Sequence, residues 1–263
     1  ALAIARMRRC RASKPRSTIY VASVRGFTTV YCISFMIFAE HVIQFNNQLQ
    51  LGATLPDNIG VMNPFQASEE VRKLSAAFYR KYYADQRTRH LILGINPGRL
   101  GAGATGIPFT DPKRLKSHCN MESSFTLHEP SSVFVYEVID AYGSVEVFYQ
   151  QFYISSVCPL GFVQIDEKGR ETNYNYYDSS QLTEAVTPFI VKTLQTQLDF
   201  GIHRDKVFCM GTGKNYRFLK KLNEEYQFFG EVIPLEHPRY VMQYKSKRKS
   251  FYIGKYLQAL RSQ

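Results

Sequence analysis

The sequence predicts an α/β domain, a three-layer sandwich with a central four-stranded, mainly parallel sheet flanked by helices. Three observations lead there. Short apolar runs recur at residues 91–96, 152–157, 206–211 and 231–235, the mark of buried strands. Longer segments with helical spacing lie between them, and strands alternating with helices imply parallel pairing with helices on both faces. A glycine- and proline-rich loop follows the first run, beyond the carboxyl end of a strand, where open α/β sheets hold ligands.

A chain of 263 residues suits one such domain, or one with an appendage. An apolar content of 44% supplies a sizeable core. The net charge of +11 and pI near 9.4 point to a polyanionic partner, either nucleic acid or an anionic membrane surface. Residues 1–35 hold seven of the basic residues and no acid, leaving +4 for the rest. That segment is basic, bears Ser and Thr, and turns apolar from Val30 to Phe38. It is compatible with a transit peptide or with a start mis-assigned upstream of Met36. We expect it to lie outside the fold, with residues 36–263 as a single domain. No apolar run of about 18 residues occurs, so no membrane span is expected. The five cysteines (10, 32, 119, 158 and 209) form no C-x-x-C pair, which excludes common zinc patterns and an iron–sulfur set. Isolated cysteines fit a reducing, intracellular compartment, cytoplasm or nucleoid in a bacterium. No metal or cofactor is expected.

Ser68 opens the first clear helix. Glu69 and Glu70 fill its first turn, Val71, Leu74, Phe78 and Tyr82 mark one face, and Arg80 and Lys81 suit the dipole at its end. The strand at 91–96 follows. Its loop holds Gly94, Gly98, Gly101, Gly103 and Gly106, stiffened by Pro97 and Pro108, so backbone can approach a ligand closely and keep its shape. Asn96 and Phe109 are the chemically useful side chains in it. Residues 101–106 spell the dinucleotide fingerprint G-x-G-x-x-G, which needs a helix directly after it. Ile107-Pro108-Phe109-Thr110-Asp111-Pro112 opposes one, so a Rossmann-type nucleotide enzyme is the lesser reading and a solvated, functionless loop another. Lys113, Arg114, Lys116 and His118 form a basic patch, suited to phosphate or to solvent.

A helix at about 132–142 buries Phe134, Val135, Val138 and Ile139, with another short turn near 145–150. After the strand at 152–157, residues 163–178 read as an inserted hairpin turning at Lys168-Gly169. Its tyrosines 174, 176 and 177 fit either packing or stacking on bases. Asp178 is the expected cap of a helical region running to about Asp199, with Pro188 as a break. Gly211-Thr212-Gly213-Lys214 leads from the next strand into a helix at 214–228; it is not a P-loop, though a backbone phosphate would suit its N-terminus. After the strand at 231–235 and His237-Pro238, a last helix is expected from about Gln243. It is basic at first (Lys245, Lys247, Arg248, Lys249) and amphipathic later (Phe251, Ile253, Tyr256, Leu257, Leu260).

Three stretches carry a resemblance. Gly94-Ile95-Asn96-Pro97-Gly98 with Thr105-Gly106-Ile107-Pro108-Phe109 resembles the first motif of the uracil-DNA glycosylase superfamily, in particular its single-strand-selective monofunctional branch. Ser156-Val157-Cys158-Pro159-Leu160 resembles an N-x-C-P-L segment of that branch, and Leu235-Glu236-His237-Pro238 the His-Pro of the second motif. The resemblance covers about residues 65–260. It implies a monofunctional hydrolase of base excision repair that cuts the N-glycosidic bond of uracil, and of other deaminated bases, in single- or double-stranded DNA. A catalytically silent nucleic-acid-binding protein of the same fold is the alternative. A monomer is expected.

Cleavage makes the sugar oxocarbenium-like and puts negative charge on a carbonyl oxygen of the departing base. It needs a donor aimed at that oxygen, a positioned water and a pocket for the extruded base. The resemblance makes His237 the donor and Asn96 the holder of the water; an amide is no strong base, so this is catalysis by positioning. Other branches place Asp here. By the same resemblance Phe109 stacks on the base, the backbone of Ile95 and Gly98 reads its edge, and Ser156 stands where the branch has an edge-reading Asn. A hydroxyl makes one fewer oriented bond, which implies looser base selectivity. Arg239 and Tyr240 fall where the family inserts a wedge into DNA, although its Pro-rich continuation is replaced here by residues 240–244. Lys245, Lys247 and Arg248 are the expected phosphate contacts, a solvated helix face being their plainer use. No lysine is placed to attack the sugar, so no lyase step is expected.

Overall fold

The computed structural model describes residues 8–10, 18–24, 27–33 and 36–262. The chain divides into two compact units, residues 1–37 and 38–263. In the first, β1 (Arg8–Cys10), β2 (Thr18–Val24) and β3 (Phe27–Ile33) make an antiparallel sheet in that order. The expectations of a targeting segment or a displaced start fall on residues 1–35, whose side chains lie outside the described residues.

The second unit opens with three elements that the sequence pattern did not announce: α1 (Phe38–Gln48), β4 (Ile59–Met62) and α2 (Pro64–Ala67). Then comes α3 (Glu69–Tyr82), whose first turn is closed as expected by Ser68 Oγ accepting from Val71 N at 3.3 Å. Its buried Val71, Leu74, Phe78 and Tyr82 lie on one face. It leads into β5 (Arg89–Gly94), a strand buried at every residue, as a parallel strand covered on both sides must be. The order continues with α4 (Ala102–Thr105), α5 (Pro112–Cys119), α6 (Pro130–Tyr142), α7 (Val145–Gln151) and β6 (Phe152–Ser156). The hairpin β7 (Gly161–Ile165) and β8 (Glu171–Tyr174) follows, then α8 (Ser180–Leu198), β9 (Ile202–Met210), α9 (Lys214–Tyr226) and β10 (Glu231–Leu235). The chain closes with α10 (Pro238–Tyr244), a 3-10 turn at Ser246–Arg248, and α11 (Lys249–Arg261).

The central sheet has the order β10-β9-β5-β6 and is parallel throughout, with helices flanking it in a three-layer α/β arrangement. Ile92 pairs with Ile154 on one side and Phe208 on the other. The chain adds β6 to one edge of β5, then returns to add β9 and β10 to the other. That reversal opens a crevice at the carboxyl ends of the strands. β5, β6 and β10 stop at Gly94, Ser156 and Leu235, where the three resembling stretches begin. β4 joins β7 and β8 in a second, antiparallel sheet.

Several boundaries differ from expectation. β5 ends at Gly94 instead of residue 96, α6 starts at Pro130, and β9 starts at Ile202 because its first residues extend beyond the apolar run. The cap of α8 is Ser179, whose Oγ accepts from Leu182 N at 3.1 Å; Asp178 instead accepts from Asn175 N and Nδ2, closing the preceding turn. Pro188 does not break α8, since Val186, Ile190 and Leu194 keep one face buried across it. The last helix does not start near Gln243. His237-Pro238 opens α10, with Pro at the first position where its missing N–H is harmless. The run Ser246–Arg248 buries nothing and forms only a 3-10 turn before α11.

At the amino end of β5, Arg89 is fully buried. It donates to Tyr149 O at 2.7 Å, Arg87 O at 3.0 Å and Asp85 Oδ2 at 3.1 Å. Its guanidinium lies 4.6 Å from the Phe38 ring centre and 4.8 Å from that of Tyr83. Cys119, Cys158 and Cys209 are buried free thiols.

Candidate active site

A cavity of about 350 Å³ lies beyond the carboxyl ends of β5, β6 and β10, within the size range of small-molecule sites. Ile95, Asn96, Gly98, Phe109, Ser156 and His237 all line it. The two predicted catalytic side chains and four predicted base-binding residues, spread over 143 positions, therefore share one pocket.

Asn96 is held by main chain from the far end of the hairpin. Its Nδ2 donates to Tyr174 O at 3.3 Å and Pro97 O at 3.4 Å, and its Oδ1 accepts from Tyr176 N at 3.1 Å. The amide can face only one way in this setting, and Oδ1 keeps one further acceptor site. The hairpin also grips the glycine loop: Arg99 N donates to Asn173 Oδ1 at 3.0 Å, and the Arg99 guanidinium bonds the Glu171 carbonyl. Of the tyrosines that base stacking might have used, Tyr176 is fully buried, with its hydroxyl donating to Asn215 Oδ1 at 2.7 Å. Asn215 Nδ2 in turn donates to Met210 O at 3.0 Å and Gly94 O at 3.4 Å, tying together the ends of β9 and β5.

His237 caps α10, its Nδ1 accepting from Arg239 N at 3.2 Å. The neutral ring then carries its proton on Nε2, the donor left at the cavity wall. Burial, and secondarily the Arg239 charge, hold the imidazole pKa down at about 4, so the ring is neutral at physiological pH. Phe109 stands 5.9 Å from it between ring centres, at 57°. Its φ of +53° is uncommon for a non-glycine residue, and its ring packs so closely on β5 that a Cβ at Gly94 would lie 3.4 Å away. The ring is thus at once core and pocket wall. Ser156 is the buried last residue of β6. The Ile95 carbonyl accepts from Cys158 N, and the Gly98 carbonyl from Gly101 N and Gly103 N; N–H groups are what these two residues have left for a ligand.

The profile of the Uracil DNA glycosylase superfamily matches residues 80–261. The chain belongs to the uracil DNA glycosylase superfamily. A solved structure, that of wild-type Pedobacter heparinus SMUG2, is 55% identical, with a TM-score of 0.85 over 87% of this chain and 98% of that one. No curated protein matches the chain. The family and this neighbour agree with the single-strand-selective monofunctional resemblance seen in the motifs.

Proteins of the uracil DNA glycosylase superfamily act on DNA, and the residues expected to meet it are distributed unevenly here. Arg239 lines the cavity. Tyr240 is 42% exposed and pairs with Tyr244, 65% exposed, at 5.7 Å. Lys245 Nζ sits 5.9 Å from the Tyr240 ring and the Arg248 guanidinium 4.9 Å from that of Phe251; Lys247 is exposed. Tyr244 and Phe251 are exposed aromatics in this face; Phe251, expected on the apolar side of the last helix, is 54% exposed, and Tyr252, Tyr256 and Leu260 are the residues that helix buries. By contrast, the basic patch of α5 is largely neutralised: Arg114 pairs with Asp111, Lys116 with Glu122 and His118 with Asp140. Residues 101–106 form a single helical turn ended by Gly106 at φ +71°, where any Cβ would strike Phe65 and Val71 at 2.8 Å. No long helix opens there, so the dinucleotide reading loses its phosphate site.

Among the described residues, His90, His203 and Asp205 could converge on a cation, at the opposite end of the sheet. The two rings stack at 4.3 Å and 22°, and nearly parallel rings cannot both aim a nitrogen at one ion. No helix among the described residues is long and apolar enough to cross a membrane. The pocket also has walls that the sequence did not reveal: Glu129, Asn173 and Asn175.

Proposed function

We propose that this protein is a monofunctional glycosylase of base excision repair, hydrolysing the N-glycosidic bond of uracil, and of other deaminated bases, in single- or double-stranded DNA. The observation that carries this reading is the pairing of Asn96 and His237 across one base-sized cavity, each with its hydrogen-bonding sense already imposed by main chain. The flipped base stacks on Phe109. As the bond to C1′ lengthens, charge collects on a carbonyl oxygen of the base, and His237 donates Nε2–H to it. A neutral imidazole suits the task, because it stabilises the anion without having to hold an extra proton in a buried site. A preorganised donor of this kind contributes roughly 10² to 10³ in rate, about 3 to 4 kcal/mol. The free acceptor site on Asn96 Oδ1 orients a water towards C1′; its oxygen bonds the sugar, and its proton passes to solvent or to the released base. Arg239 and Tyr240 wedge the duplex, and Lys245, Lys247 and Arg248 neutralise backbone phosphates.

Incubating the protein with an oligonucleotide bearing one uracil, followed by alkali, tests the reading. Strand scission after alkali but not before it, lost in both Asn96→Ala and His237→Ala, is the expected result. Uracil-independent DNA binding without scission would instead make the chain a silent DNA-binding member of the family.

A further inference from the structure

Glu129 stands in the wall of the same cavity and has no part in the chemistry above. Its main chain is fixed: its N–H donates to Asp111 Oδ2 at 3.1 Å, and its carbonyl accepts from Ser132 N at 3.0 Å and Ser132 Oγ at 2.7 Å. Its side chain, although at the head of α6, makes no capping bond. Oε2 is buried and has no hydrogen-bond partner among the described residues. The carboxyl group is pressed against the glycine loop, so that a Cβ at Gly101 would lie 2.6 Å from Oε2. Gly101 is thus the residue that leaves room for it. Buried polar groups are rarely left unmatched, and an unmatched one in a ligand cavity is a group waiting for its ligand.

We infer that Glu129 is a base-reading residue, whose carboxyl group makes a paired donor–acceptor contact with the ring carbonyl and adjacent ring N–H of a flipped base. The inference rests on the glycosylase reading and deepens it by naming the edge that is recognised: the lactam edge shared by uracil, hypoxanthine and xanthine. A carboxylic acid offers one donor and one acceptor side by side, as an amide does. That is the two-point contact that Ser156, with a single hydroxyl, cannot supply alone. The group must be protonated for this, and burial, with the nearby Asp111 charge, raises its pKa to about 8. The charged and titratable groups around it are Asp111, with Arg114 and His128 bonded to it, and Arg239 and His237 on the cavity wall. Loss of the proton above that pH would set a carboxylate against a base carbonyl and end the contact.

The test compares single-turnover uracil release by wild type, Glu129→Gln and Glu129→Ala between pH 6 and 9.5, with thermal melts to confirm folding. Wild type should lose activity as pH rises through about 8. Glu129→Gln, whose amide keeps donor and acceptor at every pH, should stay within about 3-fold of wild type at pH 7 and lose that alkaline limb. Glu129→Ala should be about 10- to 100-fold slower, one or two powers of ten being the usual loss when a hydrogen-bonding reader is removed. Should Glu129→Ala fail to fold, the Glu129→Gln profile decides by itself. Equal rates for all three proteins, or an alkaline limb unchanged in Glu129→Gln, overturn the inference while leaving the glycosylase reading intact. Binding to an oligonucleotide with 2′-fluoro-2′-deoxyuridine, whose fluorine suppresses cleavage, separates the opposite case. Wild type that binds it at least 10-fold more tightly than Glu129→Ala, yet releases no uracil from the unmodified uracil oligonucleotide, keeps the base contact and overturns the glycosylase reading. Wild type that neither cleaves the uracil oligonucleotide nor prefers the 2′-fluoro one to an oligonucleotide carrying 3-methyl-2′-deoxyuridine, which lacks the ring N–H, overturns both.

Discussion

Arg89 at the amino end of β5 and Glu129 beyond its carboxyl end both bury polar groups, and their surroundings treat them in opposite ways. At the amino end, Arg89 is out of contact with water, but its guanidinium finds two carbonyls, the Asp85 carboxylate and two aromatic faces. Past the carboxyl end, Glu129 Oε2 has no partner among the described residues, and His237 keeps its Nε2–H at the cavity wall. A buried charge with all its bonds made serves the fold. Glu129 and His237, whose remaining bonding capacity lies in the wall of a cavity, are placed to serve a ligand. The contrast separates stability from chemistry within one strand of six residues.

The contrast is most easily broken at Arg89. Removing one member of a buried ion pair typically costs about 3 to 5 kcal/mol, so Arg89→Ala should lower the urea midpoint by that equivalent while the molecules still folded excise uracil at the wild-type rate. A matching loss of specific activity would mean the two ends are coupled. Next in size is His237→Ala. It should slow excision by roughly 10² to 10³ and lower the melting temperature at pH 7.5 by only a few degrees, since the lost cap of α10 costs about 1 kcal/mol, well short of the effect at Arg89. Its acid behaviour sharpens the point. The folded pKa near 4 lies below the ordinary histidine value, so the unfolded chain holds more protons between the two, and stability falls as pH drops through that window. Wild type should therefore lose more melting temperature than His237→Asn between pH 7 and pH 4.5. Phe109→Ala comes third. Aromatic stacking on a base is worth about 1 to 3 kcal/mol, and the loss should appear in binding of uracil-containing DNA. The smallest effect belongs to the outer face: Lys247→Ala and Arg248→Ala should each reduce the slope of log affinity against log salt by about 1, measured by anisotropy, without changing which base is removed.

Much of this architecture was legible in the residues themselves. β5 and β6 announce themselves because parallel strands buried on both faces are continuous apolar runs, β9 and β10 do so through shorter apolar stretches, and Ser68 with Glu69 and Glu70 is a strong helix start. Asn96, Phe109, Ser156 and His237 stood out through short motifs of fixed spacing. What escaped depended on partners distant in the chain. The groups that orient Asn96 are main-chain atoms of Tyr174 and Tyr176, and main chain has no sequence signature. Glu129 looks like any acid at the start of a helix; only the folded chain places it in the cavity wall, against Gly101. Tyrosines 174, 176 and 177 fit packing or stacking alike, and the burial that makes Tyr176 a packing residue cannot be read from one aromatic among several. The final helix was drawn as one piece because Lys245 to Lys249 interrupts an amphipathic pattern without a proline or glycine to mark the gap.

The bonds that aim the Asn96 amide come from atoms that every residue possesses, so exposed hairpin positions such as Gln164, Glu171 and Thr172 are free to diverge in their side chains, while Gly161, Phe162, Val163 and Asn173 are not. The hairpin's length is another matter. Inserting or deleting a single residue in its turn would slip β8 by one step and present a different carbonyl and a different N–H to residue 96, leaving the sheet intact and the water unaimed.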